Sequence, residues 1–415
     1  MKIIADFHIH SKYSRATSSK MDLENLDKWA RIKGINVLGT GDFTHPQWLK
    51  NLKEKLIPAE EGLFKLKFSN SSTRFMLTVE ISCIYSQGSK VRKIHIIIFA
   101  PSFEIAEKIN AQLGWIGNLN SDGRPILGMS AKELIKIVLN ISTDCFIVPA
   151  HAWTPWFSIF GSKSGFDSIE ECFGEYSKYI YAIETGLSSD PAMNWRLSAL
   201  DKISLISNSD SHSPSKIGRE ANVFDTDLNY KSIIETIKSK DPKKFLYTIE
   251  FFPEEGKYHY DGHRLCGIRM SPSETKKYNN ICPVCGKILT IGVLNRVDKL
   301  ADRPEGFKPE KAIPFKNLIP LEEIIADALG VLPSAKQVQK VYIDLIQKFG
   351  NEFEILLNTS FDDLKSVASD KIVKGILMVR EGKVILEPGY DGVYGKISIF
   401  PKAEDKEEIK QKTLF

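Results

Sequence analysis

Histidine is scarce in this chain, eight in 415 residues, and six of the eight fall within the first 212: His8, His10, His45, His95, His151 and His212. The opening stretch KIIADFHIHS sets Asp6, His8 and His10 at alternate positions at the end of a strand-like run. On a strand the side-chain period is two, so all three would point to one face. A polar edge strand would read this way, and so would half a metal site. The same mixture recurs along the chain. GDFTHP carries Asp42 and His45, FMLTVEI ends near Glu80, and KIHIIIFA opens with His95. CFIVPAHAW delivers His151, YIYAIETG delivers Glu184, and ISLISNSDSHSP delivers Asp210 and His212. A lone buried histidine is usually structural. So many imidazoles and carboxylates beside successive apolar runs point instead to coordinated metal. Mixed ligands of these types suit zinc, manganese or iron better than magnesium or calcium. They are too many for one ion, so two or three ions sharing a bridging carboxylate are expected.

The elements that must position these groups are alternating strands and helices. Helical patterns such as MDLENLDKWARIKG and SAKELIKIVLN separate the apolar runs. Polar residues gathered from the carboxyl ends of several strands describe a β/α barrel. Lys2 to Phe7 and Asn36 to Thr40 read as the first two of seven strands. His95 departs from the pattern because it opens its run. A hairpin of Phe75–Ser82 with Lys93–Ala100 is therefore expected, folding His95 back toward Glu80. Water on such ions has its pKa lowered toward neutrality and can attack phosphorus, while the cations stabilise charge growing on the phosphoryl oxygens. This chemistry needs no nucleophilic side chain, and no Walker-type glycine loop is seen.

The order DFHIHS, GDFTHP, TVE, KIH, PAH and SDSH resembles the PHP (polymerase and histidinol phosphatase) domains over about residues 1–240. Those domains are trinuclear phosphoesterases on a seven-stranded barrel. The resemblance implies that His8, His10, Glu80 and Asp210 hold one ion, Glu80, His95 and His151 a second, and His212 a third. By it, Asp210, Glu80 and His212 are the candidate catalytic residues, with Asp6 and Glu184 behind the ligands. The family's usual Asp-His of the second motif is here Asp42-Phe43, so His45 would join Asp42 as the replacement imidazole.

Length suggests roughly two to three domains. There is no charged-then-apolar signal segment and no run of about eighteen apolar residues, which points to a cytoplasmic protein with no membrane partner. Six cysteines in such a protein are more at home on metal or in the core than in disulfides. The net charge of +4 is unevenly spread: Lys257 to Lys316 holds twelve Lys/Arg against six Asp/Glu. A local basic excess suggests a polyanion partner, although a solvated face would look similar. Inside that segment, His263-x2-Cys266 and Cys282-x2-Cys285, fifteen residues apart, have zinc-ribbon spacing. His259 is a substitute ligand. Four protein ligands close a zinc ion, so this site would be structural. Cys83, Cys145 and Cys172 lack such spacing and are expected in the core.

With PAHAWTPWF, ETGLSSDPAMNWR, SDSHSPSKIGREAN, GHRLCG, CPVCG and ADRPEG, the chain resembles the endonuclease Q family over nearly its whole length. That resemblance implies an α/β protein: a PHP-type (β/α)7 barrel (1–240), a zinc-binding module (250–305), a mostly helical DNA-binding region (306–400) and a tail (401–415). It implies a DNA repair endonuclease that cuts 5′ to a deaminated base (uracil, hypoxanthine, xanthine) or an abasic site in double- or single-stranded DNA. Zinc would be structural and also catalytic, with Mg²⁺ or Mn²⁺ supporting activity. Inspecting a base means taking it out of the stack, and Trp153, Trp156 and Phe157 are candidates to receive it or, equally, to fill the core. A PHP-type exonuclease, a small-molecule phosphatase and an inactive DNA-binding scaffold are the rival readings. The end, KQKTLF, carries Gln411, Leu414 and Phe415, half of a sliding-clamp-binding pattern, or simply a charged tail.

Overall fold

The computed structural model describes residues 1–401, and the clamp-like pattern lies outside them. The fold is mixed α/β, with its largest sheet built from eleven strands. The strand Lys2–Asp6 pairs in parallel with Val37–Gly39, which pairs in parallel with Arg74–Gln87. Arg74–Gln87 forms a long antiparallel hairpin with Lys90–Ala100, and that strand pairs with Phe146–Pro149. Ala182–Glu184 and Ser204–Ile206 form a parallel pair of their own. These seven strands follow one another around the site, but the ladder is interrupted on both sides of the separate pair. Backbone hydrogen bonds still cross the two seams: Ala152 donates to the Glu184 carbonyl at 2.9 Å and His10 to the Ser211 carbonyl at 3.0 Å.

The apolar pattern accounts for this layering. Ile3, Ala5 and Phe7 point to one buried cluster together with Val37, Met76, Ile97, Phe99, Phe146, Ala182 and Ile206. Edge-to-face contacts of Phe99 with Phe7 at 5.4 Å and with Phe146 at 5.5 Å fix rings inside it. Helices Leu23–Lys33 and Ala131–Ile141 cover the outside through a second cluster. The first starts on the Asp22 side chain and stops at Gly34; the second carries a Ser130–Glu133 capping box. Both match the helical patterns read above. The hairpin runs beyond the expected bounds because polar residues such as Gln87 and Lys90 continue the pairing past the apolar core.

The large sheet continues past residue 240. Ala221–Asp225 and Phe245–Glu250 extend the sheet beside the first strand, and Phe315–Asn317 returns to it after the cysteine-bearing segment. That segment is thus an excursion from the sheet. Helices Leu321–Leu329, Lys336–Phe349, Glu352–Leu357 and Asp370–Arg380 follow, then a hairpin of Ile385–Glu387 with Lys396–Ser398. The Lys33 ammonium meets the Glu352 carboxylate at 2.7 Å, both side chains buried, and fastens these helices to the helix Leu23–Lys33. Among the described residues no helix is long and apolar enough to cross a membrane. Cys83, Cys145 and Cys172 are buried and unpaired.

Candidate metal centre

The first strand ends at Asp6, so strand alternation does not carry through to His10. Asp6 turns away and accepts from the amides of Ser209 (3.1 Å) and Gly218 (2.8 Å) and from the Ser209 hydroxyl. It braces the loop that carries Asp210. His8 and His10 do converge. His10 Nε2 lies 3.2 Å from Glu80 Oε2 and 3.1 Å from Asp210 Oδ1; His8 Nε2 lies 3.5 and 3.6 Å from the same oxygens. His8 Nε2, His10 Nε2 and Asp210 Oδ1 are buried with no conventional hydrogen-bond partner. Ligand atoms about 2.0–2.1 Å from one tetrahedral ion stand about 3.3 Å apart. The observed separations and the orphaned atoms therefore fit a metal ion.

Glu80 divides its two oxygens. Oε2 faces His8 and His10, while Oε1 lies 2.7 Å from His95 Nδ1 and 3.0 Å from His151 Nε2. His8, His10, Glu80 and Asp210 form one candidate ligand group, and Glu80, His95 and His151 a second. The expected hairpin brings this about: Ser82 stands opposite His95, two residues from Glu80. Each imidazole at the first position is fixed from behind. His8 Nδ1 is 3.0 Å from both Glu184 oxygens, and Asn208 and the His151 amide hold that carboxylate in turn. His10 Nδ1 is 3.0 Å from Asp42 Oδ1. Such partners set tautomer and ring orientation.

Three expected ligands are placed otherwise. The second Asp42 oxygen is taken by the Ser11 amide and hydroxyl and by Ser14, so Asp42 orients His10 and has no oxygen to spare for an ion. His45 precedes the helix Pro46–Lys55 at its N-cap position, stacks on Tyr13 at 4.5 Å and joins neither group. His212 packs against His10 with the rings tilted and their centroids 4.6 Å apart, and its Nδ1 lies 2.9 Å from the Asp210 carbonyl. It too stands outside both groups, and the described residues gather no third set around it. Sequence reasoning missed Arg124, whose guanidinium is 2.9 Å from Glu80 Oε2. It comes from the loop after Ser121-Asp122-Gly123, and no local motif marks it.

Electrostatics agree with a cation at the centre. Burial pushes the His8 imidazole down, but Glu184, Glu80 and Asp210 outweigh it and raise its pKa well above the usual value. Burial likewise opposes ionisation of Glu80, yet His95, Arg124 and His8 hold it well below the carboxylate range. His95 is pushed down to about 4, chiefly by burial, and so is a neutral ligand near pH 7. Asp42 (φ 50°), His151 (φ 29°) and Asp210 (φ 45°) all have left-handed backbone, a strained setting typical of functional sites. Gly186 makes room for His151: a Cβ there would stand 2.6 Å from the His151 Cβ.

His263, Cys266, Cys282 and Cys285 form the remaining group, with Cys285 Sγ 3.4 Å from His263 Nδ1. The first pair sits at the hairpin Asp261–His263/Ile268–Met270, and a bridge from Ile281 to Ile288 frames the second. Burial opposes the Cys282 thiolate, but the Cys285 and Val284 amides bring its pKa down to about 7. His259 is no substitute ligand: it is buried against Tyr260 and outside the group. Trp153 is fully buried, bonded to Asn194 and packed on Phe160, and is core. Trp156 and Phe157 instead line a cavity of about 680 Å³ with Leu187, Arg219 and Tyr258. The Phe157 ring stands 4.7 Å from His95.

Comparison with known proteins places the chain. The model of the MJ0043 C-terminal domain matches residues 320–383. The MJ0043 protein of Methanocaldococcus jannaschii is 35% identical over 273 residues, 62% of this chain and 33% of its own. The chain thus spans about a third of that relative's length. The crystal structure of the lesion-specific endonuclease PfuEndoQ from Pyrococcus furiosus superposes with a TM-score of 0.86 at 31% identity, over 98% of this chain and 99% of that one. The chain belongs to the endonuclease Q family. A second endonuclease Q structure, in complex with a 27-mer duplex carrying an abasic lesion at the active site, matches at TM-score 0.84 and 31% identity over 98% of this chain and all of that one. With the family comes the class of metal-dependent nuclease, and the ligand groups above are the candidate endonuclease Q centre.

Proposed function

We propose that this chain is a DNA repair enzyme that cuts the phosphodiester bond 5′ to a deaminated base (uracil, hypoxanthine or xanthine) or an abasic site. The observation that carries the reading is the Glu80 carboxylate shared between two groups of converging imidazoles, on a chain that matches endonuclease Q end to end. The seven strands around it are a PHP-type arrangement with two open seams. Divalent ions in these groups, zinc or manganese by donor type, would supply Lewis acidity and make water nucleophilic near neutral pH.

The chain's own residues do the rest. Glu184 and Asp42 hold His8 and His10 in place, so the ligands need not reorganise during the reaction. Arg124 stands beside Glu80 with its side chain 28% exposed, positioned to orient a phosphate through its N–H groups. Trp156 and Phe157 stack an extruded base in the adjoining cavity, whose size falls within the range of small-molecule sites, about 300–1,000 Å³. His263, Cys266, Cys282 and Cys285 hold a structural zinc in the basic segment that faces DNA.

The test is a panel of end-labelled duplexes, each with one hypoxanthine, uracil, abasic site or normal base at the same position. A product ending at the nucleotide 5′ of each lesion, and none from normal DNA, supports the proposal. Progressive shortening from the 3′ end of every substrate refutes it in favour of an exonuclease.

A further inference from the structure

We infer a second anion site, at the tip of the long hairpin, that takes a backbone phosphate of the DNA held at the metal centre. This inference rests on the nuclease reading above. A pocket of about 150 Å³ opens between the tip of Lys90–Ala100, the loop 161–167 and the helix Val293–Leu300 of the basic segment. Lys90, Arg92, Lys163, Arg296 and Lys299 line it, against two carboxylates, Asp167 and Glu171. Asp167 is taken by Arg296 at 2.6 Å, and Glu171 by Arg92 at 3.3 Å. The three lysines, all exposed, are left with no carboxylate partner inside the pocket.

The two arginines are built in. Arg296 donates to the carbonyls of Phe160 and Phe166, both at 2.9 Å, and is 7% exposed. Arg92, also 7% exposed, lies 3.9 Å over the Phe166 ring and donates to the Gly165 carbonyl. Its buried Nε has no hydrogen-bond partner. An unmade buried donor is costly, and Arg92 lines the pocket. No aromatic side chain lines the pocket, and its volume suits a tetrahedral anion better than a base.

Position ties the site to DNA. Arg92 is three residues from His95 on one strand, about 10 Å at a rise of about 3.3 Å per residue, and leaves the opposite face, whereas Val91, which also lines the pocket, shares the face of His95. The edge between them is covered by the same loop: His95 donates to the Phe157 carbonyl at 3.0 Å and Lys93 to the Ser164 carbonyl at 3.4 Å. A nucleic-acid strand advances about 3.4 Å per nucleotide, so a phosphate about three nucleotides from the cut reaches the pocket. Because Lys299 and Arg296 come from the basic segment and Lys90 and Arg92 from the hairpin, one phosphate would clamp the two together.

The experiment uses the full chain with Lys163→Ala/Lys299→Ala, neither of them a candidate metal ligand. Duplex affinity is measured on undamaged DNA by fluorescence anisotropy across a salt series, and inorganic phosphate binding by calorimetry. Loss of one phosphate contact should reduce the salt slope by about 0.9 and weaken phosphate binding, with turnover at saturating lesion DNA unchanged. Loss of phosphate binding with an unchanged slope would mean a free-anion site and overturn the assignment to DNA; no change in either overturns the site itself. Undamaged DNA keeps this test apart from the nuclease reading. A wild-type chain that binds duplex with this slope but nicks no lesion refutes that reading and leaves the phosphate site intact.

Discussion

Replacing Lys33 with methionine removes the cation that fastens the C-terminal helices to the helix Leu23–Lys33. Its ammonium stands 2.7 Å from Glu352 Oε2, with each side chain only 5% exposed. At an effective dielectric of about 20 the pair attracts by about 6 kcal/mol, and the desolvation of both ions offsets much of that. Removing one partner keeps the other's desolvation cost without its compensation, so Lys33→Met should destabilise by about 3–5 kcal/mol. Glu352 would retain only the Tyr342 hydroxyl at 2.6 Å and the Leu321 amide at 3.1 Å. The pH dependence should also change sign. In the wild type, burial raises the Glu352 pKa but Lys33 outweighs it, so the net pKa is lowered; that stability is present above the usual carboxylate range and lost as pH falls through the folded value. Without Lys33 burial dominates, the folded pKa rises, and stability is lost as pH rises. Urea unfolding at pH 5 and pH 8 reads both effects, and Lys33→Met/Glu352→Gln should recover most of the loss. A loss under about 1 kcal/mol, the scale of an exposed pair, or an unchanged pH slope would refute the reasoning.

Asp210→Asn keeps the shape of the side chain but removes the charge facing His8 and His10; nicking should fall by about 10²–10³-fold or more with DNA binding retained, and near wild-type rates would take Asp210 out of the ligand set. Cys282→Ser should lower zinc content by one ion per chain and weaken duplex binding while the barrel ions stay; unchanged zinc and affinity would contradict the structural site. Burial raises the Glu250 carboxyl to about 8, against hydrogen bonds from Thr248 and Thr185. The folded chain keeps a proton there that the unfolded chain releases, so this stability is full below about pH 4.3 and is lost as pH rises through about 8. Glu250→Gln should flatten the unfolding midpoint between about pH 5 and 8, and an unaltered profile would show that Glu250 does not titrate there.

Residue type and spacing carried much of the centre. His8, His10, Glu80, His95, His151 and Asp210 are legible because each ends or opens an apolar run, and the hairpin follows from His95 being out of step. What spacing cannot show is which atom of a side chain is already occupied. Asp42 looks like a ligand in GDF but spends both oxygens on His10, Ser11 and Ser14. Alternation also failed just past Asp6, where the strand stops and the chain turns. Trp153 and Trp156 have the same local chemistry, and only the packing of Phe160 and Asn194 separates core from cavity. Arg124 had no signal, since its contact with Glu80 depends on how a loop folds over the site.

The candidate centre around Glu80 should nick DNA at a lesion without needing an end. The direct measurement is a closed circular DNA with a single deoxyinosine, incubated with the protein and with zinc, Mn²⁺ or Mg²⁺ in turn. One nick, mapping to the phosphodiester 5′ of the deoxyinosine and dependent on added ion, is predicted, with the lesion-free circle staying closed. A lesion circle that stays closed with every ion, while the same protein shortens linear DNA or releases phosphate from a small monoester, would contradict the account.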